Sequence, residues 1–329
     1  MFNNKIILIT GGTGTLGRAL TKYFFDNHKD LKKLIIYSRD EQKQFLMSQE
    51  YPKSKFPNIR FLIGDVRDKE RLSRAFKDVD FVIHTAAMKH VHIAEYNPDE
   101  CIKTNVGGAQ NVIYAALENS VKNVIALSTD KACAPINLYG ATKLTSDKLF
   151  IAANNVKGKA PIKFSVVRYG NVMGSNGSVI PFFLKIQHTG TFPITSPEMT
   201  RFNITIQEGV NMVIHALTEN FGGEIFIPKI PSYKILDVAS AIDPNIKLDI
   251  IGLRPGEKIH EEMISTSDSS NTYDLGDYYV ILPNAPIFDL NNYIKSKNAI
   301  KVKSGFSYAS NTNDNWETPE SLREKIKKL

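Results

Sequence analysis

The 329-residue chain has few cysteines, few histidines and no large excess of either charge. Its two cysteines cannot build a disulfide framework or a four-cysteine zinc site, and its seven histidines show no metal-ligand spacing. Forty-one Lys and Arg against 34 Asp and Glu give a net charge of +7, without a long basic run inside the chain. We therefore expect no metal site and no nucleic-acid partner.

Long hydrophobic runs are also missing. No apolar segment approaches the roughly 18 to 20 residues that span a bilayer. Residues 1–10 lack a cationic region followed by a small-residue cleavage site. We therefore predict a cytoplasmic protein with no membrane partner, and its 42% apolar content is enough for a large core.

Short apolar runs alternate with segments of helical periodicity through the first half of the chain. This alternation is typical of β-α-β units and a parallel sheet. We predict an α/β protein with a Rossmann-type, doubly wound parallel sheet. The predicted strands are residues 5–10, 33–38, 60–64, 81–84, 124–128 and 164–169, and the clearest predicted helices are residues 16–27, 98–118 and 139–154.

A glycine-rich turn follows the first predicted strand and opens a helix. Glycines at positions 11 and 14 permit a tight turn and a close backbone approach, and Gly17 lets the helix pack on the strand. The helix N-terminus then faces the pyrophosphate of a dinucleotide. The residues that we expect to contact this cofactor are Gly11, Thr13, Gly14, Thr15, Leu16 and Gly17.

The end of the second strand distinguishes the two nicotinamide cofactors, because a carboxylate there binds the ribose hydroxyls of NAD and repels a 2′-phosphate. Ser38 and Arg39 instead offer a hydroxyl and a guanidinium, which favours NADP. Asp40 follows as a carboxylate, and Lys43 adds a second cation nearby. Asp65 and Val66 are expected beside the adenine, and Thr85 and Val172 complete the predicted cofactor site.

The alternation of strands and helices becomes irregular from about residue 171, where prolines separate short elements. We assign residues 1–170 to an NADP-binding Rossmann domain. Residues 171–329 are assigned mainly to a substrate-binding region, some of which returns to the main sheet.

Two residue pairs indicate chemistry. Tyr139 and Lys143 lie four apart on one helix face, so we expect the ammonium to lower the phenol pKa and prepare it for hydride-transfer chemistry. Asp130 and Lys131 follow a strand directly before them. This second acid/base pair suggests elimination rather than simple oxidation.

The glycine turn and the Tyr139/Lys143 pair resemble the extended short-chain dehydrogenase/reductase family. Within it, the chain is similar over nearly its whole length to the inverting UDP-N-acetylglucosamine 4,6-dehydratases of pseudaminic acid biosynthesis. The runs that carry this resemblance are residues 38–41, 64–68, 89–91, 126–131, 135–143, 168–172 and 254–258.

The resemblance implies a dehydration in which NADP takes a hydride from C4 of the sugar and returns it to C6. Tyr139 would remove the 4-hydroxyl proton while Lys143 holds the ribose. Lys131 would then act as base at C5 and Asp130 as acid at the 6-hydroxyl. Related retaining dehydratases typically have glutamate where Lys131 stands. Lys131 can act as base only if its pKa lies well below about 10.4, and burial together with nearby cations, either Lys143 or the nicotinamide, would supply that lowering.

The implied product is UDP-2-acetamido-2,6-dideoxy-β-L-arabino-hex-4-ulose, formed in a homo-oligomer, either a dimer or a hexamer. Arg254 offers a guanidinium for the diphosphate, Glu257 a carboxylate for the ribose hydroxyls, and Arg201 a second phosphate contact. The full set of predicted substrate-binding residues is Lys89, Ser128, Thr129, Asn171, Val179, Arg201, Arg254 and Glu257.

Two alternatives stay open at this point. A UDP-sugar 4-epimerase needs the same Tyr139 and Lys143 but no acid/base pair for C5 and C6, so Asp130 and Lys131 count against it. A non-catalytic NADP-sensing protein could share the fold. Such a protein has little need of all four residues together.

Overall fold

The structure, a computed structural model, describes residues 1–175 and 177–329. A ten-stranded sheet forms its centre, in the order β16-β14-β15-β10-β6-β5-β4-β1-β2-β3. The strands of this sheet are β1 Ile6–Thr10, β2 Lys33–Ser38, β3 Ile59–Ile63, β4 Phe81–His84, β5 Asn123–Thr129, β6 Lys163–Tyr169, β10 Ile225–Pro228, β14 Thr272–Asp274, β15 Tyr278–Ile281 and β16 Ile300–Lys301.

Smaller strands form three further sheets, in the orders β11-β9-β7, β12-β8 and β13-β17. Their bounds are β7 Asn171–Val172, β8 Thr191–Ile194, β9 Thr200–Ile204, β11 Ser232–Lys234, β12 Lys247–Ile250, β13 Glu262–Ile264 and β17 Tyr308–Ala309.

The α-helices are α1 Thr15–Asn27, α2 Glu41–Glu50, α3 Lys69–Ala75, α4 Val91–Tyr96, α5 Pro98–Ile102, α6 Gly108–Glu118, α7 Leu138–Val156, α8 Val179–Ile186, α9 Ile206–Glu219, α10 Ile235–Ile242, α11 Leu290–Lys297 and α12 Pro319–Ile326. A π-helical turn occupies Lys103–Gly107, and 3₁₀ turns occupy Asp130–Ala132, Gln187–Thr189 and Thr266–Asn271.

Strands β10, β6, β5, β4, β1, β2 and β3 pair in parallel, which confirms the predicted fold class. Most are buried along nearly their whole length because helices cover both faces of the sheet. Helix α6 contacts both α3 and α7, and α1 contacts α9. The strand order reverses between β1 and β4, where sheets of this kind bind ligands at their carboxyl ends.

The second half of the chain contributes four strands to the main sheet. Strand β10 extends the parallel part beside β6, and β15, β14 and β16 continue it in antiparallel fashion. A separate apolar cluster is built from α8, β8, α10 and α12, around the stacked rings of Phe183 and Phe192. The division at residue 170 therefore separates two regions that share one sheet.

The predicted helix 98–118 is interrupted by the π-helical turn at Lys103–Gly107. Asn105 in this turn accepts a hydrogen bond from the Met88 amide at 2.8 Å and donates to the Met88 carbonyl at 3.0 Å. It also donates to the Thr142 hydroxyl at 3.0 Å. The irregular turn thus ties the loop after β4 to α7, and π-helical turns of this kind often occur at functional sites.

Candidate active site

The glycine-rich turn joins β1 to α1 at the carboxyl edge of the sheet. A Cβ atom on Gly17 would lie 2.5 Å from the backbone of Gly12, so only glycine lets α1 lie this close to the turn. Gly14 caps α1, and no side chain among the described residues caps the first amide groups of this helix. Those amides suit the phosphates of a dinucleotide, so the turn fits the cofactor that the sequence predicts.

The end of β2 lies beside this turn. The Ser38 hydroxyl is 2.9 Å from that of Thr13, which joins the two segments. The Arg39 guanidinium is 61% exposed and lies 3.9 Å from the Asp65 carboxylate. Asp40 caps α2 by accepting from the Lys43 amide at 2.9 Å, and the Lys43 ammonium is 3.1 Å from the same carboxylate. The Lys43 ammonium therefore pairs with Asp40, the carboxylate that follows β2 and would favour NAD.

The remaining predicted cofactor residues line the same edge of the sheet. Thr85 donates a hydrogen bond to the Thr10 carbonyl at 2.7 Å, and the Tyr37 hydroxyl donates to the Asp65 carbonyl at 2.9 Å. Val66 and Leu16 are buried, whereas Thr15 is exposed at the start of α1, and Val172 is half-buried in β7.

Helix α7 carries Tyr139 and Lys143, both buried. Its cap, Asn137, accepts from the Gly140 amide and donates to the Gly256 carbonyl, each at 2.7 Å. A Cβ atom on Gly140 would lie 2.1 Å from the Lys131 carbonyl oxygen. Glycine at this position therefore brings the helix directly against the turn that holds Lys131.

A cluster of opposite charges lies beside α7. The Lys131 ammonium is 3.1 Å from the Asp130 carboxylate and 3.0 Å from the Glu261 carboxylate. It also donates to Asn171 Oδ1 at 3.5 Å. Asp130 is fully buried and Glu261 is 2% exposed, whereas Lys131 is 22% exposed at the carboxyl edge of the sheet, the region called the cleft below.

The protonation of this cluster differs from the sequence prediction. Burial would lower the pKa of Lys131, but Asp130 and Glu261 outweigh it and hold the pKa above its usual value. Among the residues of this chain the expected lowering does not prevail, because the charges nearest to Lys131 are carboxylates. Burial raises the pKa of Asp130, and the Lys131 ammonium opposes this rise.

The pKa of Tyr139 responds mainly to groups other than Lys143. Burial raises the pKa of the Tyr139 phenol to about 12, and Lys131 is the cation that chiefly opposes this rise. Burial lowers the pKa of Lys143 itself, with Asp147 acting in the opposite direction. Activation of the Tyr139 phenol therefore depends more on Lys131 than the four-residue spacing of Tyr139 and Lys143 indicates.

A buried network lies beneath these groups. The Ser128 hydroxyl donates to Asp147 at 2.7 Å, and the Arg168 guanidinium lies 3.2 Å from the same oxygen. Arg168 also donates to the Met263 carbonyl at 3.0 Å. Ser128 was predicted to contact substrate, but its hydroxyl donates into this buried network, so Ser128 belongs to the floor of the site.

Arg201 is placed differently from the prediction of a phosphate contact. It is 7% exposed, and its guanidinium donates to the carbonyls of Thr200, Ile259 and Lys258 at 2.7 to 2.9 Å. It also lies 3.7 Å from Glu261. These contacts make Arg201 a support for the charged cluster.

The other predicted substrate residues lie around the opening. Arg254 and Glu257 form a two-point ion pair at 3.0 and 3.1 Å, and Arg254 is 67% exposed. The Thr129 hydroxyl donates to Asp130 at 2.9 Å. Lys89 is exposed in the loop after β4, Asn171 is half-buried in β7, and Val179 begins α8.

The family of the chain follows from its sequence over residues 7–283, which match the model of the polysaccharide biosynthesis protein family. The chain belongs to this family. Its similarity to the inverting UDP-N-acetylglucosamine 4,6-dehydratase of Campylobacter jejuni is 57% identity over 333 residues, covering 99% of this chain and 98% of that protein. Similarity to the UDP-glucose 4-epimerase of Rickettsia bellii is 43% identity over 288 residues, covering 85% and 84%.

Among solved members with the same architecture, Pen from Bacillus thuringiensis superposes with a TM-score of 0.89 at 38% identity, covering 100% of this chain and 98% of that one. The predicted resemblance to extended short-chain dehydrogenases is confirmed. Dehydratases that share this fold have been solved with NAD bound. Within residues 1–175 and 177–329, no helix is both long and apolar enough to cross a membrane.

Glu261 and Asp147 contact predicted site residues, and Arg168 contacts Asp147, but none of the three was predicted from the sequence to lie at the site. Glu261 is 130 positions from Lys131, in a segment whose Glu261-Glu262 pair resembles an ordinary solvated surface. For Asp147 the sequence did contain a signal. It lies four residues after Lys143 and therefore on the same helix face as Tyr139 and Lys143.

Proposed function

We propose that this family member removes water from UDP-N-acetylglucosamine, with inversion at C5, and forms the 4-keto-6-deoxy sugar that the sequence implies. The observation that carries this proposal is the cluster of Asp130, Lys131 and Glu261 beside Tyr139. Simple oxidation at C4 needs no such cluster. The 57% identical Campylobacter jejuni dehydratase supports the proposal over nearly the whole chain.

The cofactor class is a nicotinamide dinucleotide, and we propose NADP as the form used. Support comes from the exposed Arg39 guanidinium, the Ser38 hydroxyl and the engagement of Asp40 with Lys43. When bound, NADP would accept the C4 hydride and later return it to C6.

The residues of the cleft suit the proton transfers that this reaction needs. Tyr139 takes the 4-hydroxyl proton once its phenol is ionised, and Lys131 opposes the effect of burial on that phenol. Asp130 is assigned the proton transfer to the departing 6-hydroxyl, and burial raises the pKa of its carboxyl group. Lys131 removes the C5 proton, and it must first lose its own proton, which Asp130 and Glu261 help it to retain.

Substrate binding is assigned to the residues around the opening. We propose that Arg254 meets the diphosphate and Glu257 the uridine ribose, which requires their mutual ion pair to loosen on binding. Lys89, Thr129, Asn171 and Val179 remain predicted sugar or phosphate contacts. The homo-oligomeric state, the place of the reaction in pseudaminic acid biosynthesis and the cytoplasmic location remain predictions.

The direct test is incubation with UDP-N-acetylglucosamine in deuterated water, followed by NMR of the product. We expect a 4-keto-6-deoxy sugar, deuterium at C5 and inverted configuration there, without accumulation of NADPH. A product that keeps its 6-hydroxyl and changes only at C4 would contradict dehydration. Such a product would favour a UDP-sugar 4-epimerase. This is the second candidate, and the similarity to the UDP-glucose 4-epimerase of Rickettsia bellii supports it.

A second experiment tests the role of Lys131. Lys131→Ala should lower the dehydration rate by about 10² to 10⁴ while the chain still binds NADP, since a positioned base is worth about that factor. The matched control is Lys148→Ala, which removes an exposed lysine of α7. Deuterium exchange at C5 with the wild-type rate in Lys131→Ala would assign the proton removal to another group.

A further inference from the structure

Glu261 is an acidic side chain held on a rigid backbone. Its amide donates to the Ser310 hydroxyl at 2.9 Å, and the Ser310 amide donates to the Glu261 carbonyl at 2.8 Å. The residue immediately precedes β13, which pairs with β17. The carboxylate is 2% exposed, so its direction is set by the fold rather than by solvent.

The partners of this carboxylate are unequal. Lys131 approaches Oε1 at 3.0 Å, whereas the Arg201 guanidinium lies at 3.7 Å and donates to three backbone carbonyls instead. Among the described residues, Oε2 of Glu261 is buried without a hydrogen-bond partner. Burying a carboxylate with so few partners destabilises the folded chain. Its contact with Lys131 therefore calls for a functional reason.

Lys131, in contrast, is partly exposed. Its side chain is 22% exposed, more than the side chain of Asp130 or of Glu261. The Glu261 carboxylate therefore contacts Lys131 from the buried side and leaves the exposed part of the lysine for substrate.

We propose that Glu261 is the positioning residue for Lys131: it fixes the ammonium nitrogen at the cleft and keeps it protonated until substrate displaces the pair. This inference rests on the proposed dehydration. It adds that Glu261 sets the pH at which Lys131 becomes a neutral base that can take the C5 proton.

Several other groups act on Lys131, and the test must separate Glu261 from them. Asp130 favours the ammonium form and Arg201 disfavours it, so the two partly cancel if the Glu261 charge is removed. An opposite charge within about 4 to 6 Å shifts a pKa by about 1 to 3 units. The charged or titratable groups that face the pair are Asp130 on the same turn, Arg201 on β9, Tyr139 on α7, Tyr233 on β11 and Lys258 before β13.

The experiment compares the pH dependence of kcat/KM, which reports the ionisation of groups in the free enzyme, for the wild type and for Glu261→Gln, with UDP-N-acetylglucosamine as substrate. The rising limb that reports neutral Lys131 should move to lower pH by about 1 to 3 units. KM should change little, because the carboxylate is buried behind Lys131. A limb that stays in place would overturn the inference.

Two further variants complete the test. Glu262→Gln, one residue along on β13, is the matched control and should leave the limb in place. Glu261→Asp keeps the charge but shortens the reach, so it should keep the wild-type limb and lower the maximal rate. If Glu261→Gln does not fold, Glu261→Asp decides: an unchanged maximal rate, or a limb moved to lower pH, would overturn the inference.

The inference and the proposed function fail in different ways. A wild-type chain that forms no 4-keto-6-deoxy sugar refutes the proposed function. A wild-type chain that forms this sugar, with a Glu261→Gln variant whose pH profile is unchanged, refutes only the role of Glu261.

Discussion

Replacing Gly140 by alanine tests whether the contact between α7 and the Lys131 turn governs the reaction. The added Cβ would lie 2.1 Å from the Lys131 carbonyl oxygen, where real Cβ atoms keep at least 3.0 Å. Helix and turn must therefore separate by about 0.9 Å. Alanine itself favours a helix over glycine by about 1 kcal/mol, so part of the strain is offset in the stability of the chain.

The expected effect on rate follows from this displacement. A shift of about 1 Å in a positioned group can lower a rate by about 10²-fold. The Lys131 nitrogen is held between carboxylates at 3.0 and 3.1 Å, so a shift of its backbone by nearly 1 Å disturbs both contacts. We expect kcat for dehydration to fall by about two orders of magnitude while the chain still binds NADP.

The assay is the rate of 4-keto-6-deoxy sugar formation, with NADP affinity and thermal unfolding measured on the same preparations. Gly107→Ala is the matched control, because a Cβ there meets nothing within 4 Å among the described residues. It should leave the rate near that of the wild type. A Gly140→Ala variant with a wild-type rate would show that the separation of α7 from the Lys131 turn does not control catalysis.

Three further predictions concern the cofactor site and the core. Arg39→Asp should shift the ratio of NADP to NAD affinities towards NAD, and an unchanged ratio of dissociation constants would place Arg39 away from the ribose phosphate. Asp147→Asn should lower the free energy of unfolding in urea by about 3 to 5 kcal/mol, since it leaves the Arg168 charge buried without its partner; a loss under about 1 kcal/mol would contradict this. Burial lowers the pKa of His84 to about 3, so between pH 6.5 and that value the unfolded chain binds a proton that the folded chain does not. Wild-type stability should therefore fall with decreasing pH more steeply than that of His84→Gln, by up to about 1.4 kcal/mol per pH unit, and equal slopes would refute this origin.

Local pattern was sufficient for much of the fold. The predicted strands match β1 to β6 to within a residue or so at each end, because each is a short apolar run bounded by polar residues. The π-helical turn inside the predicted helix 98–118 escaped prediction, since it depends on Asn105 contacting a loop and a helix that are remote in sequence. The sequence predicted that part of the second half returns to the main sheet, but not that it contributes four strands, because strand pairing between distant segments leaves no local pattern.

The sequence predicted which residues lie together at the candidate site better than it predicted their pKa values. Tyr139, Lys143, Asp130 and Lys131 do lie together, as their spacing along one strand and one helix indicates. The direction of the Lys131 pKa was wrong because the deciding carboxylate, Glu261, comes from a segment 130 positions away. Sequence spacing reports neighbours on one element, whereas pKa values respond to every charge that the fold brings near.

Strand β10 has a consequence for how the cleft can open. It pairs directly with β6, so backbone hydrogen bonds connect the two halves of the chain across the sheet. Opening the cleft by swinging the halves apart would break this pairing and leave the long edge of β6 bare, an edge of the kind that promotes aggregation. Access for a nucleotide sugar is therefore better provided by small movements of the turns at the rim, such as the one carrying Arg254 and Glu257. By the same reasoning, the nucleotide-binding half is not a self-sufficient piece, and cutting the chain after β6 would expose the surface that β10 covers.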